Sequence, residues 1–136
     1  MRFLLDTNVL SETRKPRPEP KVAAWLASVP IDARYISVLS LGEIAKGIAS
    51  LEARDRPRAE TYRGWLDVVR RHYAERALAV DGDVAETWGV ISAARSLPIV
   101  DALIAATARA HALVLATRNR RDFQDLGIEV FDPWTD

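Results

Sequence analysis

The chain of 136 residues contains no cysteine, which removes disulfides, thiol nucleophiles and thiolate-bound zinc from consideration. It carries no excess of either charge, since 19 basic and 19 acidic side chains cancel. A protein that holds nucleic acid by bulk electrostatics is normally more basic, so such a substrate would have to be steered by local patches. The candidates are "RKPR" at Arg14–Arg17, "RRH" at Arg70–His72 and "RNRR" at Arg118–Arg121. Long apolar runs are missing as well. No stretch approaches the roughly 20 residues of a membrane span, and "FLL" before Asp6 is too short for a signal peptide's core. The expected location is the cytoplasm. Histidine is limited to His72 and His111, isolated from each other and not expected to bind metal.

What is present is the composition of a folded soluble chain: 49% hydrophobic and 28% charged residues, which excludes disorder and fibres. The length fits one domain over residues 1–136, long enough for a core without staples. "RFLL" reads as a short strand apolar on both faces, as in a parallel sheet. "ARYISV", "RALAV", "LVLAT" and "IEVFD" follow as further strands. Between them lie helical segments. Val22, Trp25, Leu26 and Val29 form one stripe, and Leu41, Ile44, Ile48 and Leu51 another. Ser40 with Glu43 has the form of a capping box opening that second helix. A third carries Tyr62, Trp65, Leu66 and Val69, with Pro57 in its first turn, and pairs with the second as a helical hairpin. "DVAETWGVISAARS" and "VDALIAATARAHA" are helical, and "RDFQDLG" is a short helical turn. Repeated alternation of strand and helix predicts an α/β fold, a parallel sheet covered by helices.

In such sheets ligands bind beyond the carboxyl ends of the strands. Asp6 follows the first strand. Glu43 lies in the first turn after the second, and Asp101 opens a helix after Leu97-Pro98. Asn119 and Asp122 follow the fourth strand. Each also has an ordinary structural use: Asp6 as a helix cap, Glu43 in the capping box, Asp101 as an acid favoured at a helix N-terminus, Asn119 and Asp122 as turn formers. Carboxylates gathered in one cleft would repel one another unless a cation neutralised them. Oxygen donors without cysteine select Mg²⁺ or Mn²⁺ over zinc. Arg118, Arg120 and Arg121 suit phosphate contact, or else ion pairing with Asp125 and Glu129. Tryptophans and tyrosines at helical spacing read as core; Trp134 belongs to no helix and is expected at a sheet edge or an interface.

"LLDTNVLSE", "LSLGEIAKG", "LPIVDALIAATA" and "LATRNRRDFQDLGIEVFDPW" together resemble the PIN-domain ribonucleases, in particular the VapC-type toxins of type II toxin–antitoxin pairs and their FitB-like branch. The resemblance implies a PIN-like α/β/α sandwich with a parallel five-stranded sheet. It implies an endoribonuclease using Mg²⁺ or Mn²⁺ held by Asp6, Glu43 and Asp101, with Asp122 or Asn119 as the fourth member. Thr7 and Thr117 match small hydroxyl positions that contact a metal-bound water or phosphate. The implied partners are an RNA substrate, a second copy of the chain, and a VapB-like antitoxin whose tail enters the acidic cleft. Two rival readings are a catalytically idle PIN-like module that only binds a partner, and an aspartyl-phosphate enzyme. The second fits poorly, because Asn8 stands where haloacid-dehalogenase-type enzymes want a second Asp.

Overall fold

Strand β1 (Phe3–Leu5) occupies the middle of the sheet. Its alternating side chains split the core in two, because successive strand residues face opposite ways. Phe3 and Leu5 enter one buried cluster with Val9, Leu10, Leu26 and Val69, while Leu4 enters the other with Val84, Ile104, Leu115 and Phe123. Both faces are therefore covered, as the unbroken apolar run "FLL" requires. The computed structural model describes residues 1–136. It shows β2 (Arg34–Ser37), β3 (Ala77–Leu78), β4 (Val114–Ala116) and β5 (Val130–Phe131) all parallel to β1, in the order β3-β2-β1-β4-β5. The expected parallel five-stranded α/β sheet is what the chain forms. The two edge strands are shorter than the apolar segments that announce them.

Six α-helices cover the sheet: α1 (Thr7–Glu12), α2 (Pro20–Ser28), α3 (Val38–Glu52), α4 (Arg56–His72), α5 (Gly82–Ala94) and α6 (Ile99–Ala110). Helices α3 and α4 form the expected hairpin, with Ile44, Ile48, Leu51, Ala59 and Leu66 as its own small core. Pro57 stands in the first turn of α4, behind an Asp55 cap that accepts from Arg58 N at 3.2 Å. The capping box assigned to Ser40 and Glu43 is not formed. The cap of α3 is Ser37, three residues earlier, whose hydroxyl accepts from Leu39 N at 3.0 Å. Ser40 is thereby carried inside the helix and is fully buried. No single helix is long and apolar enough to cross a membrane.

Two connections set the ends of the strands. After α6, Ala112 takes φ 53°, so that Leu113 N reaches Ala108 O at 2.9 Å and Ala112 N reaches Arg109 O at 3.3 Å. These bonds close a Schellman motif with alanine where glycine is usual, and β4 starts two residues on. After β4 a 3₁₀ turn (Arg120–Phe123) takes the place of the expected helical turn and ends before Gln124, earlier than Gly127. Trp134 is half-buried and packs, like Trp25 and Phe131, against the core cluster that holds Phe3.

Candidate active site

β1 and β4 are neighbours, while the chain leaves β1 for β2 on the other side. The carboxyl ends of β1 and β4 therefore flank the point where strand order reverses, the expected position of a ligand crevice. Asp6 follows β1 directly and Thr117 follows β4 directly. Asp6 does cap α1: its Oδ1 accepts from Thr7 N at 2.8 Å. Its Oδ2 accepts from Thr117 Oγ1 at 2.7 Å and from Asn8 Nδ2 at 3.4 Å. The side chain is only 6% exposed. Burial raises its pKa from 3.8 to about 6, the bonds from Thr117 and Thr7 oppose the rise, and the charges of Asp101 and Glu43 add to it.

Glu43 stands exposed on the first turns of α3 and is held from α1. Thr7 Oγ1 donates to Glu43 Oε1 at 2.6 Å and lies 2.9 Å from Ser40 Oγ. A hydroxyl has one proton, so with Thr7 committed to the carboxylate, Ser40 supplies the proton of their own contact. Asp101 lies in the first turn of α6, half-buried. Its carboxyl is pushed above the ordinary range by burial first, then by the charges of Glu43 and Asp122. Asp6, Glu43 and Asp101, scattered in sequence, are thus within electrostatic reach of one another, and Asp122 is within reach of Asp101.

The "TRNRRDF" block divides its tasks. Asn119 donates its backbone N–H to Thr117 Oγ1 at 3.0 Å. Asp122, exposed in the 3₁₀ turn, is the member of this block that acts on Asp101. Both line an open polar recess with Arg118, Arg120 and Arg121. Neither Asp125 nor Glu129 pairs with these arginines. Arg120 is engaged by Asp136 and by Val130 O, and Arg118 lies over the Trp134 ring at 5.0 Å. Sequence reasoning missed two contributors. Asn8 joins the two strand ends, reaching Thr117 Oγ1 at 3.4 Å while its Oδ1 accepts from Arg118 N at 3.3 Å. Ser40, read as a cap, supports Thr7. Their only sequence signal is proximity to Asp6 and Glu43. His72 packs edge-on against Tyr73, and His111 ends α6.

In these side-chain conformations no three acidic or imidazole groups are gathered into ligating geometry. The donor set nonetheless fits a hard divalent cation. No thiol or imidazole stands among these carboxylates, the charges of their neighbours help push Asp6 and Asp101 up, and a cation relieves the same repulsion that a proton does.

Residues 3–129 match the family model of the PIN domain. The chain belongs to the PIN-domain family. This PIN domain is 33% identical over 139 aligned positions to Toxin FitB of Neisseria gonorrhoeae, covering 98% of this chain and 99% of that protein. It is 32% identical to VapC ribonuclease Y4jK of Sinorhizobium fredii, covering 97% of each. Among solved structures, the crystal structure of FitAcB from Neisseria gonorrhoeae superposes with a TM-score of 0.89 at 32% identity, over 98% of this chain and 99% of that one.

Proposed function

We propose that this protein, one PIN domain over its whole length, is an endoribonuclease that hydrolyses RNA phosphodiester bonds with Mg²⁺ or Mn²⁺. The observation that carries the reading is Asp6, a carboxylate buried at the strand-order reversal and held above its ordinary pKa by burial, with Asp101 and Glu43 adding to the rise. Burying such a group without a counter-charge costs the fold stability, and strongly perturbed carboxylates gather at functional sites. The relatives named a toxin and a ribonuclease support it.

Asp6, Glu43, Asp101 and Asp122 would hold the ion, and the coupling of Asp122 to Asp101 favours it over Asn119 for the fourth place. When bound, the ion supplies an activated water and offsets charge developing on the phosphate. The protein's own part is positioning. Thr117 and Thr7 N fix both oxygens of Asp6, and Thr7 Oγ1 fixes Glu43. Thr7 and Thr117 therefore serve the carboxylates before the substrate. Arg118 and Arg121, exposed and free of ion pairs, stand beside the site for phosphate contact.

The same chemistry supports a toxin controlled by a VapB-like antitoxin in the cytoplasm. An antitoxin arginine entering the acidic cleft would replace the cation's charge and silence the site. Exposed Val90 and Ile99 offer apolar surface for pairing into a homodimer. The test is cleavage of RNA with Mg²⁺ or Mn²⁺, by the wild type and by Asp6→Asn. Cleavage is expected from the first and not the second. Equal cleavage by both would overturn the assignment, and none by either would leave the partner-binding module.

A further inference from the structure

A second cluster of unneutralised charge lies beside the carboxylates. A cleft of about 280 Å³ opens between α1, α3 and α4, reaching Thr7 and Glu43 at one end. Its floor is apolar, from Ile44, Ile48 and Leu51, and its rim carries Arg14, Arg54 and Arg58. The acids nearest in sequence are taken: Glu52 and Glu60 pair with Arg63, and Asp55 caps α4. All three rim arginines are exposed and none has a carboxylate partner. Tyr62 gathers two of them, with Arg14 over its ring at 4.4 Å, Arg58 at 5.4 Å, and its hydroxyl accepting from Arg58 Nε at 3.0 Å. Two planar guanidinium forks are thus ordered before any ligand arrives, which lowers the entropy cost of binding. On a chain of zero net charge, three guanidiniums on one rim without carboxylate partners make a local basic patch suited to a polyanion.

We infer that this cleft is a subsite for the RNA strand, in which Arg14, Arg54 and Arg58 bind phosphates flanking the bond placed at Glu43. The apolar floor receives the sugar and base, and the carboxylates remain for the scissile phosphate. Backbone recognition of this kind carries little sequence information and sets register along the strand. The inference rests on the ribonuclease reading and names where its substrate lies.

The test is fluorescence anisotropy with a short labelled single-stranded RNA in EDTA, so that binding is read without cleavage. The slope of log affinity against log salt is measured for the wild type, for Arg14→Gln with Arg58→Gln, and for Arg71→Gln. Arg71 is exposed on α4, roughly 20 Å along the helix from Arg58 at 1.5 Å per residue. The double variant is expected to bind more weakly, with a slope shallower by about 1.4, because each single-strand phosphate left without its arginine lowers the slope by about 0.7. Arg71→Gln is expected to keep the wild-type slope. RNA binding with an unchanged slope in the double variant would overturn the subsite alone and leave the cleft to a protein partner. An equal weakening by Arg71→Gln would overturn it as general surface charge. No RNA binding by the wild type would overturn the subsite and the ribonuclease reading together.

Discussion

Replacing Asp6 by asparagine is expected to destroy activity and strengthen the fold. The carboxyl is 6% exposed and its pKa rises from 3.8 to about 6. At 1.36 kcal/mol per unit, holding the charged form in the fold costs about 3 kcal/mol. Between these two values the folded chain binds more protons than the unfolded one, so stability falls as pH rises through that window and stays low above it. Asparagine has no such charge to bury. It still accepts from Thr7 N, but its amide must re-form the hydrogen bond with Thr117, at about 1 kcal/mol. The net gain at neutral pH is then about 2 kcal/mol, or roughly 6 °C in Tm for a domain of this size. Urea unfolding in EDTA across this pH range measures it. At the acid end, where Asp6 is protonated folded and unfolded, the variant is expected to be the less stable by about 1 kcal/mol, and to overtake the wild type as pH rises toward about 6. Asp101, raised in the same direction by burial and by Glu43 and Asp122, leaves a residual slope of the same sign in the variant. A variant no more stable than wild type above that window would refute the electrostatic reading of Asp6.

Two further outcomes follow from the geometry. Thr7→Ala frees Glu43 from its 2.6 Å bond and is expected to slow RNA cleavage by about 10- to 100-fold, as removal of an outer-sphere partner does. Thr7→Ser should restore most of the rate, and a fully active Thr7→Ala would remove Thr7 from the site. Ala112→Gly relieves the φ of 53° that closes α6 and should raise stability by about 1 kcal/mol, since L-residues resist the left-handed region; an unchanged urea midpoint would contradict it.

The sheet was legible because "FLL" and "LVLA" are apolar on both faces and the helices between them have clear stripes. The acids were legible because each follows a strand or opens a helix. The cap of α3 was not, because "SVLSLGE" offers two serines ahead of one apolar run and local pattern cannot choose between them. The choice is made at long range: Ser40 is buried against Thr7, across 33 residues of sequence. The cleft around Tyr62 was only partly legible. Arg14 read as part of an "RKPR" patch that could steer nucleic acid, but only the packing of α1 against α3 brings it over a ring on α4 beside Arg58. The turn after β4 was overestimated because "RDFQDLG" has helical residues but no room for a second turn before β5.

If Asp6, Glu43, Asp101 and Asp122 form one divalent-cation site, calorimetric titration of Mn²⁺ into wild type and Asp101→Asn reads it without any substrate. Saturable binding by the wild type, abolished or strongly weakened in the variant, is the expected result. The same isotherm from both proteins, or no binding by the wild type, would contradict it.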